Sequence, residues 1–289
     1  MSDTITLEAG EARAAIALLG AEPVAWSVGA RELLWSGAPE HWAYHAPILF
    51  PVVGASRHGV VRVDGRRYAM PQHGFARTSL FSVVEQGVEQ VRLRLATDEQ
   101  TREHYPFAFQ LEVIATLAPA TLTLVFEVTN TGSSPLPYSL GFHPAFPWPL
   151  DGPSRAAHRV ILEVEEEARV PIIAPGGLIG RETREIPLRG RELALDPSLF
   201  AEALCFLDAR SRSLSFVAPS DAAIEMEVEN FRHVAVWTKP TAPFLSLEAW
   251  SGHAEAEDFV GELRERSSIT LVPPDATTRH EVTLRARLP

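Results

Sequence analysis

The sequence has a single cysteine and no long uninterrupted apolar run. Cys205 is the single cysteine, so neither an intramolecular disulfide nor a cysteine-based metal site can form. No stretch reaches the length of about 18 uninterrupted apolar residues that a transmembrane helix needs. The N-terminus, Met1-Ser2-Asp3-Thr4, lacks the basic start and apolar run of a signal peptide. These absences predict a soluble, cytoplasmic protein without a membrane partner.

Positive charge is also scarce. The 289 residues include 26 basic and 37 acidic side chains, which gives a formal net charge of −11. Lys239 is the only lysine, so arginine supplies almost all of the positive charge. Because nucleic acids and anionic membranes bind basic surfaces, the acidic balance argues against both as partners. The hydrophobic share of 46% is ordinary for a globular protein and too high for a disordered chain.

What the sequence does contain is a dominant alternation of apolar and polar residues, which is typical of strands with one buried face. Asp64-Gly65 stands between two such runs and is a strong hairpin signal, because both residues tolerate positive φ. The pattern predicts strand pairs over residues 24–35, 61–70, 81–95 and 110–129, with turns at Gly29-Ala30, Asp64-Gly65, Gly87 and 118–120. One large antiparallel β domain over residues 1–289 is the predicted organisation.

Helix signals are weak, because 23 prolines and 18 glycines interrupt the chain. Residues 40–45 and 254–264 are the candidates for short helices. Residues 171–187, which contain Pro175-Gly176-Gly177, are predicted to be rich in loops. There is no internal repeat and no composition shift that would mark a linker.

His73 is the first candidate for chemistry. It precedes Gly74 in a loop after a predicted strand, and the glycine lets a ligand approach the backbone closely. The alternative is a surface histidine or one that is hydrogen-bonded for structural reasons.

His143 is the second candidate, in the segment GFHPAFPW at 141–148. Aromatic and proline side chains form stiff apolar walls, and the C–H faces of sugar rings stack on such walls. The alternative is a core histidine inside an aromatic cluster.

Glu248 is the third candidate, at the end of the apolar run 243–252 and close to Trp250. A carboxylate in such a place resists burial unless it is paired or used in chemistry. The alternative is an exposed glutamate at a strand end. Together, a carboxylate base, a histidine acid and a second histidine can move protons on a neutral polar substrate without a cofactor.

The three segments, in this order, resemble the aldose 1-epimerase (mutarotase) family, and especially its bacterial LacX-like branch. The most specific stretches are PQHGFAR at 71–77, GFHPAF at 141–146 and residues 244–252. The resemblance runs from APILFPVVG at 46–54 to ITL at 269–271. It implies a large antiparallel β-sandwich with a sugar cleft on one face, here with few short helices.

Residue by residue, the resemblance implies catalytic roles for two side chains. His143 matches the catalytic acid, Glu248 matches the catalytic base, and His73 matches a histidine that positions the substrate. Trp250, near the base, joins the predicted substrate contacts.

The resemblance is less regular at two further substrate-binding positions. Glu202 stands where relatives carry an aspartate that binds sugar hydroxyls, and it is one methylene longer. The sugar-binding arginine of the family follows a glycine that matches Gly54, whereas this sequence reads Gly54-Ala55-Ser56-Arg57. Arg57 is the candidate for that role, with Arg77 as its substitute.

The implied reaction is the interconversion of α and β anomers of a hexose by acid–base ring opening and closure, without a metal or other cofactor. A sugar-binding or sugar-sensing module with weak catalysis and a hexose-phosphate mutarotase are the main alternatives. A glycoside hydrolase with Glu248 and Glu202 as its two carboxylates is a weaker one. The sequence leaves open which sugar is bound and whether the protein is a monomer or a homodimer.

Overall fold

Strands make up most of the regular structure. The computed structural model describes residues 3–288, with 49% strand and 7% helix, which confirms the predicted all-β fold class. Within the described residues the strands are, in chain order, β1 (Thr4–Ala9), β2 (Ala12–Ala17), β3 (Pro23–Val28), β4 (Arg31–Glu32), β5 (Ile48–Leu49), β6 (Val60–Val63), β7 (Arg66–Ala69), β8 (Ser82–Gln86), β9 (Gln90–Ala96), β10 (Phe109–Ala118), β11 (Thr121–Asn130), β12 (Leu136–Tyr138), β13 (Gly141–Phe142), β14 (Ala145–Pro147), β15 (Arg159–Leu162), β16 (Arg169–Ala174), β17 (Leu178–Glu185), β18 (Leu188–Arg189), β19 (Glu192–Ala194), β20 (Leu204–Phe206), β21 (Ser213–Val217), β22 (Ala223–Glu229), β23 (His233–Trp237), β24 (Phe244–Trp250), β25 (Thr270–Val272) and β26 (Thr277–Arg287).

The strands pair antiparallel and build one sheet-rich sandwich. Over residues 3–288 the largest sheet has ten strands in the order β18-β19-β15-β21-β22-β26-β11-β10-β9-β8. A six-stranded sheet has the order β20-β23-β24-β13-β5, and β14 also pairs with β24. Strands β1 to β4 form a further sheet in sequence order, while β6-β7, β12-β25 and β16-β17 are two-stranded.

The four predicted strand pairs are confirmed as β3-β4, β6-β7, β8-β9 and β10-β11. In the second pair Val63 lies opposite Arg66, so Asp64 and Gly65 alone form the turn. Their φ angles are 48° and 77°, as a two-residue hairpin turn of this kind requires. Local alternation and turn chemistry were therefore sufficient for these hairpins.

The predicted helices over 40–45 and 254–264 are wrong. Residues 40–45 form turns, and Trp42 is drawn into an aromatic cluster. In the other segment Glu255 donates its backbone N–H to Ala55, which keeps this part extended, and helical structure is confined to a 3-10 turn at Leu263–Glu265.

The sequence analysis missed the α-helix α1 (Glu99–His104), which begins at a capping box. Asp98 accepts from the backbone of Thr101, whose hydroxyl accepts from the backbone of Asp98. Further 3-10 helices lie at Arg57–Gly59, Ala76–Thr78 and Pro197–Ala201. No helix within residues 3–288 is long and apolar enough to cross a membrane.

The expectation of a loop-rich region at 171–187 is also wrong, because β16 and β17 pair there as a hairpin. Pro175-Gly176-Gly177 form its turn, and both glycines have positive φ. The irregular register between Pro171 and Ile173 explains why the alternation in this segment is hard to recognise.

The two faces of the six-stranded sheet carry different kinds of side chains. On β24, Leu245, Leu247 and Ala249 join the main hydrophobic core, which draws residues from every sheet. The alternate residues Ser246 and Glu248 point to the opposite face, because side chains alternate along a strand. All seven residues of β24 are buried, so both faces of this strand are covered.

Candidate active site

A cavity of about 490 Å³ lies over the second face of the six-stranded sheet. Its lining combines polar groups from His73, His143 and Glu248 with the indole rings of three tryptophans, at positions 42, 237 and 250. A concave site with apolar walls and a few convergent polar groups is typical of small-molecule binding.

The backbone register brings His143 and Glu248 together. Strands β13 and β14 follow each other along one side of β24, with Phe142 opposite Ala249 and Ala145 opposite Ser246. The same register places His143 opposite Glu248, where cross-strand side chains are close. Pro144 has no N–H, which explains the gap between the two strands.

Glu248 is 1% exposed and has two partners. Its Oε1 lies 3.1 Å from Nε2 of His143, and its Oε2 accepts a hydrogen bond of 3.0 Å from the indole N–H of Trp250. Burial raises the pKa of this carboxyl group to about 8, although the Trp250 hydrogen bond opposes the shift.

A serine fixes the orientation and tautomer of His143. The Oγ of Ser246 donates to the carbonyl oxygen of Pro144 at 2.7 Å and lies 2.9 Å from Nδ1 of His143. Since its proton is already used, the hydroxyl accepts the proton of Nδ1, and Nε2 is left facing Glu248. The ring packs 4.9 Å from Trp42 and 5.4 Å from Trp237, centroid to centroid.

His143 and Glu248 therefore share one proton. A carboxylate beside a bare Nε2 would set two lone pairs against each other, whereas a single proton between them makes a hydrogen bond. Burial also lowers the pKa of His143 well below 6.5, and the positive charge of Arg77 adds to this effect. Uptake of a second proton by the pair is thus disfavoured near neutral pH.

His73 lines the cavity as a neutral donor, with its ring centre 6.2 Å from that of His143. Its Nδ1 accepts from the backbone N–H of Gly54 at 3.1 Å, so its own proton is on Nε2. Burial and then Arg77 lower its pKa to about 3, which keeps the ring neutral. The loop is tightly built at Gly74, where a Cβ would lie 2.1 Å from the carbonyl oxygen of Phe50.

Of the other residues singled out in the sequence, Trp250, Glu202 and Arg77 line the cavity. Oε2 of Glu202 accepts from the backbone N–H of Ile173 at 3.0 Å. Arg77 donates from Nη2 to the carbonyl oxygen of Gln72 at 2.9 Å, and its guanidinium lies 4.9 Å from the ring centre of Tyr44.

The structure does not bring Arg57 into this group. Its side chain lines two neighbouring pockets, and its Nε lies 3.8 Å from Oε1 of Glu255. Gly54 does line the cavity. The residue that follows it is Ala55, whose side chain is only a methyl group, and the arginine comes two positions later. The arginine is thus displaced from the cavity wall.

Sequence reasoning missed Trp42, Trp237 and Lys239, which also line the cavity. The aromatic residues near His143 in the chain, Phe142 and Phe146, lie in the main core instead. The apolar walls of the cavity are formed by segments that lie far from His143 in the sequence. Only the residue type, tryptophan, could have indicated them as candidates for ligand stacking.

No group of three or more His, Cys, Asp and Glu side chains in residues 3–288 is arranged to hold a metal ion. The cavity can instead exchange protons with a polar ligand through the His143–Glu248 pair. The indole rings offer stacking surfaces, while His73, Glu202 and Arg77 offer donors and acceptors for hydroxyl groups.

Comparison with known sequences shows the family of the chain. A family model described as aldose 1-epimerase matches residues 3–285. The chromosomal LacX protein of Lactococcus lactis subsp. lactis is 30% identical over 260 residues, covering 86% of this chain and 87% of the relative.

Solved structures give the same result for the fold. A galactose mutarotase-like protein from Lactobacillus casei ATCC 334 superposes with a TM-score of 0.92 at 26% identity, covering 99% of this chain and 100% of that one. A galactose mutarotase related enzyme from Lactobacillus acidophilus, at 24% identity, has a TM-score of 0.92 and coverage of 99% and 98%. Since the family match spans nearly the whole sequence, the chain belongs to the aldose 1-epimerase family.

Proposed function

We propose that this protein is a cofactor-independent aldose 1-epimerase that interconverts the α and β anomers of a hexose. The observation that carries the proposal is the distance of 3.1 Å between His143 Nε2 and Glu248 Oε1 inside the cavity. The anomeric hydroxyl oxygen and the ring oxygen of an aldose are both bonded to C1. An acid and a base that serve them together must therefore lie close to each other.

Ring opening uses the shared proton of the pair. Glu248 as carboxylate removes the proton of the C1 hydroxyl group, and His143 as imidazolium gives its proton to the ring oxygen. The bond between C1 and the ring oxygen breaks, and C1 becomes an aldehyde carbon. The pair still holds one proton, now on Glu248.

Ring closure reverses these transfers. Rotation about C1–C2 presents the other face of the aldehyde, and His143 takes the proton back as the oxygen attacks C1. Glu248 returns its proton to the new C1 hydroxyl group. Each group alternates between acid and base, which is efficient when the proton affinities are close to the working pH.

The remaining cavity residues hold the sugar. Stacking of a ring face on Trp42 or Trp237 orients C1 toward the pair, and Nε2 of His73 donates to a hydroxyl oxygen. Oε2 of Glu202 is fixed by the backbone of Ile173, so Oε1 is the acceptor offered to the sugar.

The test is polarimetry of freshly dissolved α-glucose and α-galactose with the wild-type protein, with Glu248→Gln and without protein. We expect the wild type alone to accelerate anomer exchange, with Glu248→Gln slower by about 10²–10⁴-fold. Near-normal activity in the variant would contradict the role of Glu248. Sugar binding without exchange in the wild type would favour the binding-module alternative.

A hexose phosphate is the second candidate substrate, because Arg77 and Lys239 bring two positive charges to the cavity. Charge-assisted hydrogen bonds from such side chains hold phosphate oxygens well. The same assay with glucose 6-phosphate separates the two substrates. A higher kcat/KM for the phosphorylated sugar would identify it as preferred.

A further inference from the structure

A second pocket of about 170 Å³ concentrates arginine in this acidic protein. It shares no lining residue with the sugar cavity among residues 3–288. Arg57, Arg62, Arg67 and Arg266 line it, and Glu255 is its one carboxylate lining residue within the described chain. We call it the arginine pocket. Its local charge is opposite in sign to the chain's net charge of −11.

Arg266 is a buried cation with an unmet donor. Its side chain is 6% exposed, and its Nη2 donates to Ser56 Oγ at 3.0 Å and to Glu255 Oε2 at 2.5 Å. Its Nε is buried and has no hydrogen-bond partner among residues 3–288. Burying a guanidinium donor without an acceptor is unfavourable, so the wall of the pocket contains an unsatisfied cationic donor.

Arg57 also has unmet donors, although its side chain is 37% exposed. Its Nε and Nη2 are buried and have no hydrogen-bond partner within the described residues. The distance of 3.8 Å from its Nε to Glu255 is too long for a hydrogen bond. Glu255 binds Arg266 through Oε2, and two guanidinium groups carry more N–H donors than one carboxylate can accept.

The two outer arginines leave further donors free. Arg62 lies 3.8 Å from Glu262, again beyond hydrogen-bond distance. Arg67 is exposed and has no carboxylate within 4.0 Å in the described part of the chain.

We propose that the arginine pocket binds a small tetrahedral oxyanion, either inorganic phosphate or the phosphate group of a monoester. The four arginines that line this pocket carry more N–H donors than the carboxylate of Glu255 has acceptors. A phosphate group offers several oxygens to them and forms paired hydrogen bonds with the guanidinium fork. The site is separate from the proposed epimerase chemistry and is tested without an activity assay.

The test is isothermal titration of inorganic phosphate into the wild-type protein, with sodium chloride holding the ionic strength constant. Arg57→Gln/Arg67→Gln removes two donors of the pocket. Arg13→Gln/Arg66→Gln is the matched control, because it removes the same charge from exposed residues that do not line the pocket. Thermal melting of both variants checks that they fold.

We expect wild-type and control proteins to bind phosphate with a sub-millimolar Kd, and the pocket variant to bind about tenfold more weakly for each arginine removed. No binding by the wild type, or equal weakening in both variants, would overturn the proposal. Competition by glucose 6-phosphate, but not glucose, would identify a phosphate monoester as the ligand. Without that competition, the phosphate binding that is lost in the pocket variant identifies the free ion.

Discussion

Ser246 Oγ lies 2.9 Å from Nδ1 of His143, at the end of the ring opposite the nitrogen that faces Glu248. Ser246 and Glu248 are two residues apart on β24, so they point to the same side of the sheet. One strand thus supplies both the proposed base and the hydroxyl group that fixes the tautomer of the proposed acid. Ser246 is a positioning residue, since it acts through His143.

Replacing this hydroxyl group tests the positioning role. Ser246→Ala leaves the Nδ1 proton of His143 buried without an acceptor, which costs about 1–3 kcal/mol. We expect kcat for anomer exchange to fall by about 10- to 100-fold, with KM little changed. Steady-state polarimetry measures both constants.

Ser211→Ala is the control for Ser246→Ala, because Ser211 is also buried but its hydroxyl group contacts the backbone of Val164 and not His143. The pH profile gives a second readout, since loss of the fixed tautomer alters the proton affinity of the pair. An unchanged kcat and an unchanged profile in Ser246→Ala would contradict the positioning role.

The activity should depend on pH in a predictable direction. With the pKa of Glu248 raised to about 8, the pair loses its shared proton above that pH, and His143 then has no proton for the ring oxygen. At the acid end a second proton blocks the base, but the lowered pKa of His143 places this limb well below pH 6.5. We therefore expect kcat to be nearly constant around neutrality and to fall above about pH 8.

The profile is measured from roughly pH 5 to 10, with subtraction of the spontaneous exchange at each pH. His73→Gln serves as comparison, because it removes a proposed substrate contact and leaves the His143–Glu248 pair intact. We expect this variant to raise KM and keep the alkaline limb. Activity that keeps rising far above pH 8 would contradict the one-proton pair.

Much of the fold is predictable from the sequence, because the signals for its hairpins lie within short segments. Alternation and the Asp64-Gly65 turn determine the hairpins within a few residues. Apolar periodicity does not predict the helix α1, although Asp98 and Thr101 form its capping box, because Thr101 is the one buried residue of this short helix. The local pattern predicts a helix over residues 254–264, but the hydrogen bond of Glu255 to Ala55 outweighs this local preference.

The proposed site is likewise predictable from the sequence only in part. His73, His143 and Glu248 stand in recognisable motifs, and the structure brings them to one cavity. The other residues of the cavity are brought there by the pairing of strands that are distant in the sequence, and no local pattern encodes this pairing. Trp42 and Trp237 are therefore absent from the site predicted from the sequence, and that prediction includes Arg57, which does not line the cavity.

Arg77, which lines the cavity in place of Arg57, gives the next prediction. Arg77→Met keeps most of the apolar stem and removes the guanidinium group, so a charge-assisted hydrogen bond to the substrate is lost. We expect KM to rise by about tenfold or more with a smaller change in kcat. Arg66→Met, at an exposed position outside the cavity, is the control in the same assay. Equal KM values for the two variants would contradict a substrate contact at Arg77.

The last prediction concerns the free energy of unfolding, which burial of the Glu248 carboxyl group lowers. Folding raises the pKa of Glu248 from its ordinary value of 4.5 to about 8, so between these values the folded state binds more protons than the unfolded state. The free energy of unfolding contributed by this group therefore decreases as pH rises from 4.5 to 8. Glutamine does not titrate and fits the same contacts, because its oxygen accepts from Trp250 and its amide donates to Nε2 of His143.

Glu248→Gln should thus be more stable than the wild type at alkaline pH, while it loses activity. We expect the difference to grow through the titration window and to reach at least about 1 kcal/mol above pH 8, or about 2–4 °C in Tm. Denaturant and thermal unfolding across the window measure it, with Glu103→Gln, an exposed position on α1, as the control for the lost charge. Unfolding free energies of wild type and Glu248→Gln that run parallel over this range would show that the carboxyl group is not desolvated as the geometry implies. A widening gap confined to Glu248→Gln would locate the cost of the buried base in this one side chain.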